Sequence, residues 1–121
     1  MRFKINQKEG NFPEPVKKAI EAILDKNGEN LLVLDLREIT SFTDYFLIVS
    51  GNSQRQNQAI LENVEKKLKE IKISPIGIEG EQGSEWILID YGDFIVHIFT
   101  PKARDYYSLE KLWGDARIYE F

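Results

Sequence analysis

The stretch from Trp86 to Phe99 constrains this chain most. It runs Trp86-Ile87-Leu88-Ile89-Asp90, then Tyr91-Gly92, then Asp93-Phe94-Ile95-Val96-His97-Ile98-Phe99. Both flanks are β-branched and aromatic, as half-buried strands prefer. Gly92 supplies the positive φ that two-residue hairpin turns require. With Tyr91-Gly92 as the loop, Asp90 pairs with Asp93, Leu88 with Ile95 and Trp86 with His97. Residues paired across an antiparallel ladder share a face. One face then carries Trp86, Leu88, Asp90, Asp93, Ile95, His97 and Phe99. The other carries Ile87, Ile89, Phe94, Val96 and Ile98, is wholly apolar, and is the expected core face. The mixed face, with two acids and the only histidine of the chain, suits a partner better than a sealed core.

A hairpin needs more strands and a packing layer, and the rest of the chain supplies them. Residues 1–12 are polar and read as a flexible arm, which leaves 13–121 as a single domain. Pro13 and Pro15 open a helix, with Val16, Ala19, Ile20, Ile23 and Leu24 on one face and Gly28 as its stop. Leu31 to Leu36 reads as a strand, and Ser41-Phe42-Thr43-Asp44 as a turn. Tyr45-Phe46-Leu47-Ile48-Val49 lacks alternation and reads as a strand covered on both sides. The longest helix follows, opened by Ser53 and Gln56 in a capping box. Its stripe is Ile60, Leu61, Val64, Leu68 and Ile71. Ile76 to Glu79 reads as a short strand before the hairpin. Pro101 ends the hairpin, and Leu109, Leu112 and Trp113 mark a short C-terminal helix. The class is α/β, with a mixed sheet of about five strands and helices packed on it. A right-handed crossover from the Tyr45 strand through the long helix would lead to a parallel neighbour.

Composition removes several function classes. The net charge is −4, opposite in sign to the basic footprint of a general nucleic-acid binder. With no cysteine, disulfides and thiolate metal sites are excluded. One histidine among scattered acids does not make a transition-metal site. No apolar run is long enough to cross a bilayer, and Met1-Arg2-Phe3-Lys4-Ile5-Asn6 lacks a signal peptide's apolar region, so the expectation is a cytoplasmic protein.

Enzymatic readings are weak. Asp90 and Asp93 at the hairpin tip read as solvated turn residues more readily than as a coupled carboxylate pair. Gly51-Asn52-Ser53, between a strand and a helix, has the place of a phosphate-binding turn. A nucleotidyl-transferring site, however, needs two acids alternating on the following strand to hold divalent ions, and here the acids are split by the turn. His97 has no serine or cysteine partner and reads as structural, packed beside Trp86. Lys102, Arg104, Tyr106 and Tyr107 mix basic and aromatic groups, as single-strand binders do, but two basic residues are too few.

Several blocks, in order and spacing, resemble the ribosomal silencing factor S (Iojap) family. They are Asp35-x-Arg37, Thr43-Asp44-Tyr45-Phe46, Ser50-Gly51-x-Ser53-x-x-Gln56, Glu79-Gly80, Trp86 to Asp93, and Leu109-Glu110-x-Leu112-Trp113. The resemblance covers about residues 14–117 and implies a fold similar to that of nucleotidyltransferases, without catalysis and without a cofactor. It also implies binding to the large ribosomal subunit at large-subunit ribosomal protein fourteen. That contact would block small-subunit joining and repress translation under nutrient limitation, and some members act in large-subunit assembly instead. Carried onto this chain, the partner-binding residues are Trp86, Leu88, Asp90, Asp93, Arg104 and Tyr107. The acidic balance fits a basic ribosomal protein as partner rather than a nucleic-acid sequence. Homodimerisation is a second use for an exposed apolar sheet face.

Overall fold

The computed structural model describes residues 4–6, 11–80 and 83–121. In chain order the elements are β1 (Lys4–Asn6), α1 (Glu14–Asp25), β2 (Glu29–Asp35), β3 (Tyr45–Ser50), α2 (Gln54–Glu70), β4 (Gly77–Glu79), β5 (Trp86–Asp90), β6 (Phe94–Phe99), α3 (Pro101–Tyr107), α4 (Leu109–Leu112) and β7 (Arg117–Glu120). The sheet is mixed and has seven strands in the order β1-β7-β2-β3-β6-β5-β4, two more than expected. β3 runs parallel to β6, so the chain from β3 through α2 does return to a parallel neighbour, after first laying down β4 and β5. β1 is parallel to β7, and the other pairs are antiparallel.

The two extra strands are β1 and β7. Arg117-Ile118-Tyr119-Glu120 is only four residues long, too short for alternation to declare itself. Yet Ile118 and Tyr119 are buried on opposite faces of the sheet. β7 fits between β2 and β1, and gives Lys4–Asn6 a ladder to join. Residues 1–12 are therefore not an arm throughout. Phe12 is buried and packs edge-on against Tyr45 and Tyr119, with ring centroids 5.8 and 5.0 Å away. The rest of the expected arm, 1–3 and 7–10, lies outside the described residues.

Helices cover the sheet unequally. α1 and α2 pack on one face, burying Val16, Ile20, Ile23, Ile60, Leu61, Val64 and Leu68 against Leu47, Val49, Ile89, Val96 and Ile98. Ala22 rather than Leu24 completes the buried side of α1, and Leu24 is exposed. Gly28 follows α1 for a reason other than conformational freedom. A Cβ there would lie 2.6 Å from Ile23 Cγ2 and 2.7 Å from Val49 Cγ2, so the turn needs a residue without one. At the start of α2 the Gln56 N–H donates to Ser53 Oγ at 3.0 Å. The Gln56 side chain accepts from the Asn52 N–H, one residue earlier than in the usual capping box. It also donates to the Lys26 and Asn27 carbonyls, tying the start of α2 to the end of α1.

The other face holds Leu32, Leu34, Phe46, Ile48, Phe99 and Ile118 under α3 and α4. The expected single C-terminal helix is two. Pro101 opens α3, with Thr100 capping it through the Ala103 N–H. Ser108, at φ 44° and ψ 48°, breaks the chain into the four-residue α4. As expected, β3 is buried along its whole length, because both layers meet on it.

The hairpin register differs from expectation by two residues. Asp90 pairs with Ile95, Leu88 with His97 and Trp86 with Phe99. The Tyr91 N–H donates to the Phe94 carbonyl at 2.9 Å, so Tyr91 extends the ladder and the loop centres on Gly92-Asp93. Three forces set this. Tyr91 stacks on Phe94 with centroids 4.9 Å apart. The Asp93 N–H returns to the Tyr91 carbonyl at 3.1 Å, a three-residue turn whose central Gly92 has φ +87°. The Asp90 carboxylate accepts the Gly92 N–H at 2.8 Å. Because the slip is an even number, every strand residue keeps its face.

Candidate docking face

The face under α3 and α4 is only partly roofed. Its deepest row holds Phe99 beside Trp86, with Tyr107 of α3 laid against the indole; the ring centroids are 4.9 and 4.7 Å from Trp86. The next row holds Ile48, His97 and Leu88, and the one after it Phe46, Ile95 and Asp90. Trp86, Leu88, Asp90 and Ile95 are half-buried, each with part of its side chain open. Phe42, in the turn before β3, is 55% exposed and closes the row by leaning on Phe46 and Trp113 at 6.1 Å. Leu112 of α4 is 74% exposed.

His97 lies under this surface and is 3% exposed. Its ring sits 4.5 Å from Phe46 and 5.8 Å from Trp86. The Trp86 indole N–H donates to His97 Nδ1 at 3.1 Å. Nδ1 therefore carries no proton and Nε2 does, in the neutral tautomer. Nε2 is buried without a partner. Burial holds the imidazole at a pKa of about 3, so it is neutral at physiological pH.

Of the six residues singled out from the sequence, four come together here: Trp86, Leu88, Asp90 and Tyr107. Asp93 does not. The two-residue slip puts it in the loop, exposed, where it lines a cavity of about 300 Å³ with Pro13, Tyr45, Tyr91 and Phe94, alongside α1. Asp90 and Asp93 are thus neither opposite one another nor on one face. Arg104 also lies elsewhere. Its guanidinium donates to Ser50 Oγ at 3.0 Å and to the Asn30 carbonyl at 2.9 Å, and pairs with Glu110 at 3.4 Å. It fastens α3 and α4 to the ends of β2 and β3. The sequence put Ile95 on this face without singling it out as a binding residue, and gave no place on it to Phe42 or Leu112. The signal for Phe42 was present, since an aromatic residue inside a polar turn has no local reason to be there.

The imidazole of His97 is neutral and sealed beneath the surface, and the carboxylate of Asp90 is half-buried at its edge. Among the described residues no group of three or more His, Cys, Asp or Glu side chains could hold a metal ion. No described helix is long and apolar enough to cross a membrane.

Comparison with known proteins bears on what docks there. A family model described as ribosomal silencing factor during starvation matches residues 9–120. The ribosomal silencing factor RsfS of Bacillus subtilis is 45% identical over 101 residues, which is 84% of this chain and 86% of the relative. A crystal structure of a Chromobacterium violaceum protein superposes with a TM-score of 0.82 at 40% identity, covering 87% of this chain and 88% of that one. A mouse protein named mitochondrial assembly of ribosomal large subunit protein 1 is 31% identical over 97 residues, 78% of this chain and 42% of the relative.

Proposed function

The chain belongs to the ribosomal silencing factor family, and from that premise we propose that it docks on the large ribosomal subunit through large-subunit ribosomal protein fourteen and sterically keeps the small subunit from joining, so repressing translation in the cytoplasm under nutrient limitation. The family is one of ribosome-associated regulators, not enzymes. The observation that carries the reading is the half-roofed sheet face: an aromatic anchor at Trp86, apolar neighbours at Leu88 and Ile95, and an acid at Asp90. A steric blocker needs a rigid body, a desolvated anchor and complementary charge, and no reactive group. Trp86 and Leu88 supply the desolvated centre, Tyr107 widens it, and Asp90 faces the basic partner. Asp93, at the hairpin tip, serves as a peripheral acid. Arg104 serves by holding α3, and hence Tyr107, in place. The net charge of −4 steers the protein toward a basic ribosomal protein and away from bare RNA phosphate.

Co-sedimentation with purified large subunits, followed by a challenge with small subunits, tests this reading. Binding with failed joining supports it. Binding with normal joining moves the role to large-subunit assembly, the second reading, toward which the mouse relative's name points. No binding refutes both. Trp86→Ala is expected to cost ~2 kcal/mol or more of subunit affinity, the range of an interface hot spot. The same face would also serve a homodimer, and sedimentation across a concentration series reads that out: a dimer on this face must be lost on addition of the large subunit.

A further inference from the structure

The docking reading leaves one buried polar group without a role. His97 is 3% exposed, has no acid facing it in any described contact, and carries an Nε2–H with no partner. A buried unpartnered donor costs stability, and a phenylalanine of nearly the same shape would avoid it. Phe46 and Phe99 already pack against that ring. Something other than packing therefore selects an imidazole here, and its one polar contact is with the Trp86 indole.

Taking the docking role of Trp86 as given, the geometry points to His97 as a positioning residue, whose Nδ1 fixes the Trp86 indole in its binding orientation through the 3.1 Å bond from Nε1–H. Trp86, Phe99 and Tyr107 form a three-ring cluster in which Phe99 and Tyr107 also meet, with centroids 6.2 Å apart. Tyr107 is 47% exposed and stands in the last turn of a seven-residue helix, so stacking alone leaves the indole free to slide or turn over. An indole N–H is a donor only, and an acceptor beneath it admits one of the two ring flips. What docks then meets a rigid aromatic plane whose polar edge is already satisfied and turned inward. Ordering such a side chain before binding removes part of the entropic cost of association.

The requirement is an acceptor at the place of Nδ1. Asparagine provides one, because its Oδ1 sits at the same distance from the backbone; phenylalanine fills the space without one. The experiment uses the full chain and two readouts. By NMR, the two tryptophans give two indole N–H signals, and the one absent from Trp86→Phe is that of Trp86. In the wild type this signal is expected to be protected from exchange with D₂O. His97→Phe is expected to fold, to lose that protection at least tenfold, and to bind purified large subunits at least fivefold more weakly. His97→Asn is expected to restore both. Protection unchanged in His97→Phe overturns the inference, because the indole is then held by something else. Protection lost with subunit affinity unchanged also overturns it, while leaving the docking face intact. If Trp86→Ala binds like the wild type, the docking reading itself fails, and the positioning role fails with it.

Discussion

Arg104 was expected at the partner, and its surroundings make a different prediction. Take Arg104→Met, which keeps most of the apolar stem and removes the guanidinium. Two well-formed bonds go, to Ser50 Oγ and the Asn30 carbonyl. Each is charge-assisted, in a class worth roughly 1.5–3 kcal/mol. The Glu110 carboxylate, 13% exposed, also loses its cation. That pair is loose at 3.4 Å, so most of the effect belongs to the two neutral acceptors. Allowing for water reaching the site, the cost is ~3 kcal/mol of stability. At about 2.1 cal/mol/K of unfolding entropy per residue, a chain of 121 residues then loses ~12 °C in Tm. Chemical and thermal denaturation measure this directly. Adding Glu110→Gln removes the stranded charge and is expected to return ~1 kcal/mol, a gain that a simple cavity would not show. Subunit binding, measured well below the melting temperature, is expected to weaken only through a looser Tyr107, and by less than in Trp86→Ala. The reasoning is refuted if Arg104→Met melts within about 2 °C of the wild type but fails to bind large subunits. Arg104 would then touch the partner, as the sequence suggested.

Other perturbations probe separate parts of the structure. Gly28→Ala pushes a methyl into Ile23 and Val49 and should cost roughly 1–3 kcal/mol in urea unfolding, the usual price of overpacking; a neutral result means the turn can open. Tyr91→Phe removes a hydroxyl buried without a partner and should leave stability equal or higher by ~1 kcal/mol; a clear loss would show that the hydroxyl is satisfied. His97 is depressed by burial to a pKa of about 3, so from about pH 6.5 downward the unfolded chain takes up a proton that the folded one refuses. The stability it contributes is full above pH 6.5 and falls by up to ~1.4 kcal/mol per pH unit below that. Denaturation at pH 7, 6 and 5 should show this slope in the wild type and less of it in His97→Phe; equal slopes would place the titration elsewhere. Asp90→Lys should weaken subunit binding most at low salt, and salt-independent binding equal to wild type would remove the charge argument.

Patterns that repeat were legible in the sequence; contacts between distant segments were not. The two long helices, β3 with both faces buried, and the apolar face of the hairpin all follow from periodicity. So does the division of the hairpin's strand residues between faces, which survived a register error because the error was even; Asp93, which the observed register puts in the loop, did not keep its place. The register itself depended on whether Tyr91 stacks on Phe94 or turns with Gly92, a side-chain choice invisible to pattern. β7 and β1 stabilise each other and β2, and neither is long enough to announce itself alone. Arg104 looked like a surface cation because its acceptors, Asn30 and Ser50, lie more than fifty residues away. Hairpin alternation put Trp86, Leu88 and Asp90 on one face, whereas Phe42 and Leu112 entered only with the fold.

The open face follows from the lengths of the helices that cover the sheet. Seven strands at about 4.8 Å spacing make a surface about 29 Å across. On one side α2, with 17 residues, is about 25 Å long and α1 lies beside it. On the other side α3 has 7 residues and α4 has 4, about 10 and 6 Å, and Ser108 turns the chain between them. That roof reaches Phe99 and Phe46 but leaves Leu88, Ile95 and Asp90 with an open side. A single continuous helix across the same span would have sealed them. The break at Ser108 is held at a left-handed backbone that serine rarely adopts, and its hydroxyl donates to the Asp105 carbonyl at 2.7 Å. The Arg104 guanidinium pins α3 just before the break and reaches Glu110 just after it. The fold thus spends contacts on keeping its roof short, and the exposed strip that results, flanked by Phe42 and anchored at Trp86, is where a rigid partner would find a surface already ordered.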